Sequence, residues 1–321
     1  MEKEVVRSLL PESVQSKFDD ITLSRVLGAN KQIKLMGEMI IAIADDPSNT
    51  KDEIVRKTKA VAEFFKSTRG QNSRAIYNAL NIYILNIDTL LKLEEEEARK
   101  TLKQTILSYE KESEKNTNKL IQYTVSMCEN MDTIMIFDYS STVNQLLKDL
   151  KHQLTVYIPE SRALNGGKPF VKDALKAGHK VRFIPDTTLM HYLKECQAAF
   201  MGAETIYPDG TVFNTIGSDL VAVACKYLNI PFYALTPLIK VDVRPVYGYK
   251  RLSPMPYDYS ARLAADWDEE TKSKIDFSGI KLVSITPDLI TAIICEEGII
   301  PAESMFETAI KYNRKLEDQN G

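Results

Sequence analysis

Four carboxylates in the second half of this 321-residue chain each follow a short apolar run: Asp138 after "TIMIF", Glu160 with Ser161 and Arg162 after "LTVYIP", Asp186 after "RFIP", and Glu204 after "AAFMGA". If those runs are parallel strands, all four acids arrive at one sheet edge, where ligands of open α/β sheets bind. Paired carboxylates there could donate and accept protons. Groups suited to an oxyanion lie close by. "PESRALNGGK" sets Arg162 and the pair Gly166 and Gly167 just before a helix, so that a guanidinium and backbone N–H groups could hold phosphate. "NTIGSDL" repeats the layout with Asn214, Gly217 and Ser218, and "STRGQNSR" places Arg69 and Arg74 at a helix opening. Three such sites favour a phosphorylated small ligand. Each residue also has a plainer reading. Asp and Ser commonly cap helices, and Asp138 could simply cap one opening near Ser140. A surface arginine is more often a solvated charge.

The elements that must position these groups fall into two kinds of text. Up to about residue 127, runs such as "LSRVLGANKQIKLMGEMIIAIADD" and "KDEIVRKTKAVAEFFKSTRG" repeat apolar residues at three and four spacing and predict amphipathic helices. From residue 133, "TIMIF", "LTVYIP", "KVRFIP", "AAFMGAE", "PFYAL" and "KLVSIT" alternate with the helical stretches "TVNQLLKDL", "KPFVKDALKAG", "TTLMHYLKEC", "SDLVAVACKYLN" and "PDLITAIICEEG". Strands apolar on both faces, separated by helices, predict a parallel sheet covered on both sides. The expected fold class is therefore α/β: an N-terminal helical domain over residues 1–127, then a Rossmann-like, mostly parallel sheet domain with helices on both faces over 128–321. Val241 to about Gly279, rich in tyrosine and proline, predicts a long ordered loop.

Composition narrows the function classes. With 44% hydrophobic and 26% charged residues and a net charge of −3, the chain reads as a globular protein without the electrostatic footprint of a nucleic-acid or membrane-surface binder. Neither a membrane span nor a signal peptide is legible, which predicts a cytoplasmic protein. Four scattered cysteines and three histidines signal neither a disulfide framework nor a metal site, and the thiols are expected to be buried and structural. No metal or redox cofactor is expected.

The segments "VYIPESRALNGG", "IPDTTLMHYL", "MGAETIYPDGTVFNTIGS", "PFYAL" and "TPDLITAIICEEGIIPAES" resemble, in order and spacing, a superfamily comprising the α, β and δ subunits of translation initiation factor 2B, ribose-1,5-bisphosphate isomerase and S-methyl-5-thioribose-1-phosphate isomerase. The resemblance covers essentially the whole C-terminal half; in the N-terminal half it rests on helix layout and on "STRGQNSRAIYNAL". It implies a homodimer, with higher oligomers open, and a sugar-phosphate site in a cleft between domains. The isomerases carry a cysteine after the first Rossmann strand and an aspartate in a Gly-Ala-Asp segment, where this chain has Asp138 and Glu204. Their Asn-Lys-Ile-Gly lysine is replaced by Thr215. Two readings follow. In one, Asp138 and Glu204 are the acid/base pair of a sugar-phosphate isomerase acting on a phosphorylated pentose or a related sugar phosphate; Arg69, Arg162, Gly166 and Gly167 grip phosphate, Asn214 and Asp186 orient hydroxyls, and Arg74 and Lys240 are reserve cations. In the other, the chain is a non-catalytic sugar-phosphate or nucleotide-sensing subunit like the initiation factor α-subunit.

Overall fold

The computed structural model describes residues 2–26, 28–249 and 256–318. It has two compact units: one with the residues through Asn116, Ile239–Val241 and those from Lys311, the other with Thr117–Leu238 and Asp242–Ile310. In the first, α1 (Lys3–Ser8), α2 (Glu12–Thr22), α3 (Ala29–Asp45), α4 (Lys51–Ser67), α5 (Arg74–Tyr83) and the start of α6 (Glu95–Met127) direct apolar stripes to a core around Phe18, Met36, Phe65, Leu80 and Ile106. A reciprocal capping box between Thr50 and Glu53 opens α4. α6 supplies Ala98, Leu102 and Ile106 to this core, whereas its later residues Leu120 and Ile121 enter the core of the second unit. Asn78 on α5 explains why three distant residues join the helical unit. Its buried amide donates to the carbonyls of Ile239 at 2.9 Å and Val241 at 3.1 Å, satisfying two acceptors of the returning segment.

The second unit is built on a seven-stranded sheet. Its first strands are β1 (Thr133–Phe137), β2 (Thr155–Pro159), β3 (Lys180–Ile184) and β4 (Ala198–Met201), connected through α7 (Ser141–Asp149), α8 (Lys168–Lys176) and α9 (Leu189–Leu193). A short hairpin, β5 (Thr205–Ile206) and β6 (Val212–Thr215), leads into α10 (Ser218–Leu228) and β7 (Phe232–Leu235). After β8 (Pro256–Asp258), β9 (Ser278–Ile280) and β10 (Leu282–Ile285), the sheet is completed by β11 (Ala292–Cys295) and β12 (Gly298–Pro301). The order β3-β2-β1-β4-β7-β11 is parallel throughout, and β12 joins antiparallel at the far edge. Val143, Leu146, Phe170 and Ala174 of α7 and α8 cover Ile134, Ile136, Val156 and Ile158 on one face, while Tyr157 points to the other and stacks on Tyr192 of α9. The winding reverses between β1 and β4, the topological switch point of a Rossmann-like sheet.

Three expectations change. "PDLITAIICEEG" is not a helix: only Pro287–Leu289 forms a single 3-10 turn, and Ala292–Cys295 is strand β11. Its adjacent β-branched isoleucines are buried on both faces beside β7, which a strand position satisfies and an amphipathic helix does not. "KLVSIT" forms β10, which pairs with β6 in a separate three-stranded sheet with β5 and is not part of the main one. In the expected loop Val241–Gly279, β8 pairs antiparallel with β9 across two short helical turns, Ser260–Leu263 and Glu269–Lys272, and Tyr257 packs edge-on against Tyr259 at 4.9 Å, so part of it is regular structure. Among the described residues no helix is long and apolar enough to cross a membrane.

Candidate active site

Because β4, β1, β2 and β3 are neighbours in the sheet, the acids that follow them form a row along one edge: Glu204, Asp138, Glu160 and Asp186. The first two flank the switch point. Asp138 takes a left-handed conformation (φ 53°) and is only 8% exposed. Its Oδ1 accepts a hydrogen bond from the Ser161 hydroxyl at 2.9 Å, and the carboxylate also accepts from the Thr215 hydroxyl and the Tyr139 amide. Burial raises its pKa and the nearby Glu204 charge raises it further, against the lowering effect of these hydrogen bonds. Asp138 does not cap α7. Ser140 does, accepting from the Val143 amide, which leaves the Asp138 carboxylate to the strand edge. Glu204 is half-buried and enters the β5–β6 hairpin, its own amide bonded to the Phe213 carbonyl at 2.8 Å.

The loop after β2 is held from below by Asp186. One oxygen of Asp186 accepts from the Ser161 amide at 2.8 Å and the other from the Arg162 amide at 2.7 Å. This fixes Ser161 in a left-handed turn (φ 49°) with its side chain buried, a backbone state that costs a non-glycine residue about 1–3 kcal/mol. Asp186, expected to orient hydroxyls, thus spends both oxygens on the loop. Gly166 and Gly167 also act differently from expectation. Their N–H groups donate to the Ser161 carbonyl (3.3 Å) and the Glu160 carbonyl (3.1 Å). What they contribute is clearance: a Cβ on Gly166 would lie 1.8 Å from Asp138 Oδ1, and one on Gly167 would lie 2.0 Å from the Pro159 carbonyl oxygen. The Arg162 side chain is 59% exposed, 3.8 Å from Glu160, so it is a solvated cation beside the row of acids.

The remaining candidates separate by unit. Asn214, buried on β6, donates to the Ser218 hydroxyl at 2.9 Å and contacts Met201 Sδ at 3.7 Å, joining the start of α10 to β4. Arg69, Arg74 and Lys240 belong to the helical unit. There Arg69 donates to Gln32 (3.3 Å) and Ser24 (3.4 Å), and the Arg74 guanidinium lies over the Tyr77 ring at 4.3 Å. Lys240 ends the turn Leu238–Lys240. Two hydrogen-bonding neighbours of Asp138, Ser161 and Thr215, carry no assigned role in the sequence; Ser161 is marked there only by adjacency to a strand-end acid, and Thr215 only as the replacement for a lysine. Glu296 is hidden in the sequence by the helix expected over "PDLITAIICEEG". It follows β11, is 5% exposed, and accepts from the Leu238 amide at 2.9 Å; burial raises its pKa. All four cysteines are free and buried, with burial pushing the Cys128 and Cys225 thiols up to about 12.

The sequence profile of the "Initiation factor 2 subunit family" matches residues 27–302. A ribose 1,5-bisphosphate isomerase of Archaeoglobus fulgidus is 25% identical over 304 residues, 92% of each chain. A methylthioribose-1-phosphate isomerase of Bacillus cereus is 27% identical over 243 residues, 68% of this chain and 66% of its own. At similar identity, 26% over 238 residues (72% of this chain and 80% of the relative), stands a Pyrococcus furiosus protein described as translation initiation factor eIF-2B subunit 2-like. Among solved structures, the delta subunit of eIF-2B from A. fulgidus superposes with a TM-score of 0.74 at 21% identity, covering 95% of both chains. The 5-methylthioribose 1-phosphate isomerase of Pyrococcus horikoshii gives 0.73 at 18% identity, covering 97% of this chain and 92% of that one. These two likenesses show the fold.

Proposed function

Because the chain belongs to the Initiation factor 2 subunit family, we propose that it is a sugar-phosphate isomerase acting on a phosphorylated pentose or a related sugar phosphate by carboxylate acid/base chemistry. The observation that carries this reading is the buried Asp138 carboxylate at the switch point with the Glu204 charge beside it. Aldose–ketose isomerisation opens the ring by protonating its oxygen as the ring C–O bond breaks and the anomeric hydroxyl gives up its proton; a proton then leaves one carbon and one is delivered to its neighbour, while the hydroxyl on the first carbon loses its proton to become the new carbonyl and the old carbonyl oxygen gains one. Two carboxylates of unequal environment can divide that work. Asp138, which binds its proton more tightly than an ordinary aspartate, serves as donor, and the more open Glu204 as acceptor. Arg162 is the phosphate-facing cation of this unit, and Arg69, Arg74 and Lys240 are the helical unit's anion-binding candidates. Asn214 of β6, whose amide meets Ser218 and Met201, is the residue we assign to orienting a substrate hydroxyl.

The test is a thermal-shift screen of pentose mono- and bisphosphates, followed by NMR detection of turnover for each stabilising compound. Asp138→Asn is expected to retain binding and to lower turnover by roughly 10²–10⁴-fold. A second reading, a sugar-phosphate or nucleotide-sensing subunit without catalysis, is favoured by Thr215 standing where the isomerases it resembles have lysine. Stabilisation by a ligand that neither form of the chain converts decides for the sensor.

A further inference from the structure

Oδ1 of Asp138 is committed to the protein. It receives the Ser161 hydroxyl at 2.9 Å and abuts the backbone of Gly166 so closely that no Cβ fits between them. Ser161 reaches it from a left-handed backbone, and that turn is secured by an acid from the next strand end, Asp186, which takes the amides of Ser161 and Arg162 on separate oxygens. Charge-assisted bonds from two successive amides to one carboxylate are strong enough to hold an unfavourable φ.

We infer that Ser161, locked by Asp186, is the positioning residue that keeps the Asp138 carboxylate in its working orientation. This rests on Asp138 being the working acid of the proposed reaction. The arrangement is a relay across three adjacent strand ends, β3 to β2 to β1, in which Asp186 never touches the substrate and acts only through the loop. The groups facing Asp138 are the Ser161 and Thr215 hydroxyls, the Tyr139 amide and the Glu204 carboxylate; of these, Ser161 is the one whose placement a second acid controls.

The experiment is a carboxyl ¹³C NMR titration of the protein labelled at aspartate, with the Asp138 resonance identified by its loss in Asp138→Asn. Ser161→Gly keeps the left-handed backbone, which glycine adopts freely, and removes only the hydroxyl. Loss of one donor to the charged form is expected to move the Asp138 midpoint upward by about one unit or more. Asp186→Asn, which can no longer accept from both amides, is expected to move it the same way. Should Ser161→Gly fail to fold, Asp186→Asn carries the test. An Asp138 midpoint unmoved in the folded variants overturns the relay, and Asp186→Asn is the discriminating variant, since an Asp186 that only braced its own loop would change stability and leave that midpoint where it is. The titration uses no sugar phosphate. A shifted midpoint in a chain that converts no sugar phosphate would therefore overturn the proposed isomerisation alone, and turnover with an unmoved midpoint would overturn the relay alone.

Discussion

Gly166→Ala places one methyl group against the candidate catalytic acid. The new Cβ would lie 1.8 Å from Asp138 Oδ1, 2.8 Å from its Cγ and 3.1 Å from the Tyr139 amide. Gly166 is not among the residues with positive φ, so alanine meets no backbone objection and the whole effect is contact. Asp138 must rotate away, and in doing so it gives up the Ser161 hydroxyl. Forcing an extra carbon into a packed interior costs about 1–3 kcal/mol, and a hydrogen bond to a charged group is worth about 1.5–3 kcal/mol. The two overlap, because rotation relieves the clash by breaking the bond, so a loss of about 2–4 kcal/mol is expected. At about 2–4 °C per kcal/mol for a unit of this size, Tm should fall by about 5–15 °C. A double-mutant cycle read by thermal and urea unfolding isolates the cause. In the Asp138→Ala background the nearest carboxylate is gone, and Gly166→Ala should cost less than about 1 kcal/mol. Equal cost in both backgrounds would refute the claim that Gly166 exists to make room for Asp138.

Two further outcomes follow from buried polar groups. Asn78→Ala leaves the carbonyls of Ile239 and Val241 without their shared donor, and is expected to destabilise the helical unit by about 1–3 kcal/mol, read as lost hydrogen-exchange protection around α5. Glu296 has a folded-state pKa above its ordinary value near 4.5, so from that pH upward the folded chain keeps a proton that the unfolded chain has released, and stability falls as pH rises through this window until the folded pKa is passed. Glu296→Gln, which still accepts from Leu238, should therefore gain stability relative to the parent as pH climbs from about 4.5, measured as the difference in urea midpoints across pH. A difference that does not change with pH would show that Glu296 titrates alike in both states.

Much of this protein is determined by local sequence. Three-and-four apolar spacing in the first part and short, doubly apolar runs in the second were sufficient to foretell helices, a parallel sheet and the delivery of Asp138, Glu160, Asp186 and Glu204 to strand ends, because periodicity and burial on both faces are properties of contiguous residues. Local pattern failed at "AIIC", where four apolar residues suit either a buried helix or a strand and only the place beside β7 decides. It also could not distribute roles among the strand-end groups. That Ser161 bonds Asp138, that Asp186 holds Ser161 and that Gly166 clears Asp138 all depend on groups 23 to 28 residues apart meeting across adjacent strand ends, while the Ser140 cap of α7 and the Gly167 clearance of Pro159 are settled by the local backbone path. Strand order is set by how the whole sheet buries its two faces, and that order alone puts the end of β1 between those of β4 and β2.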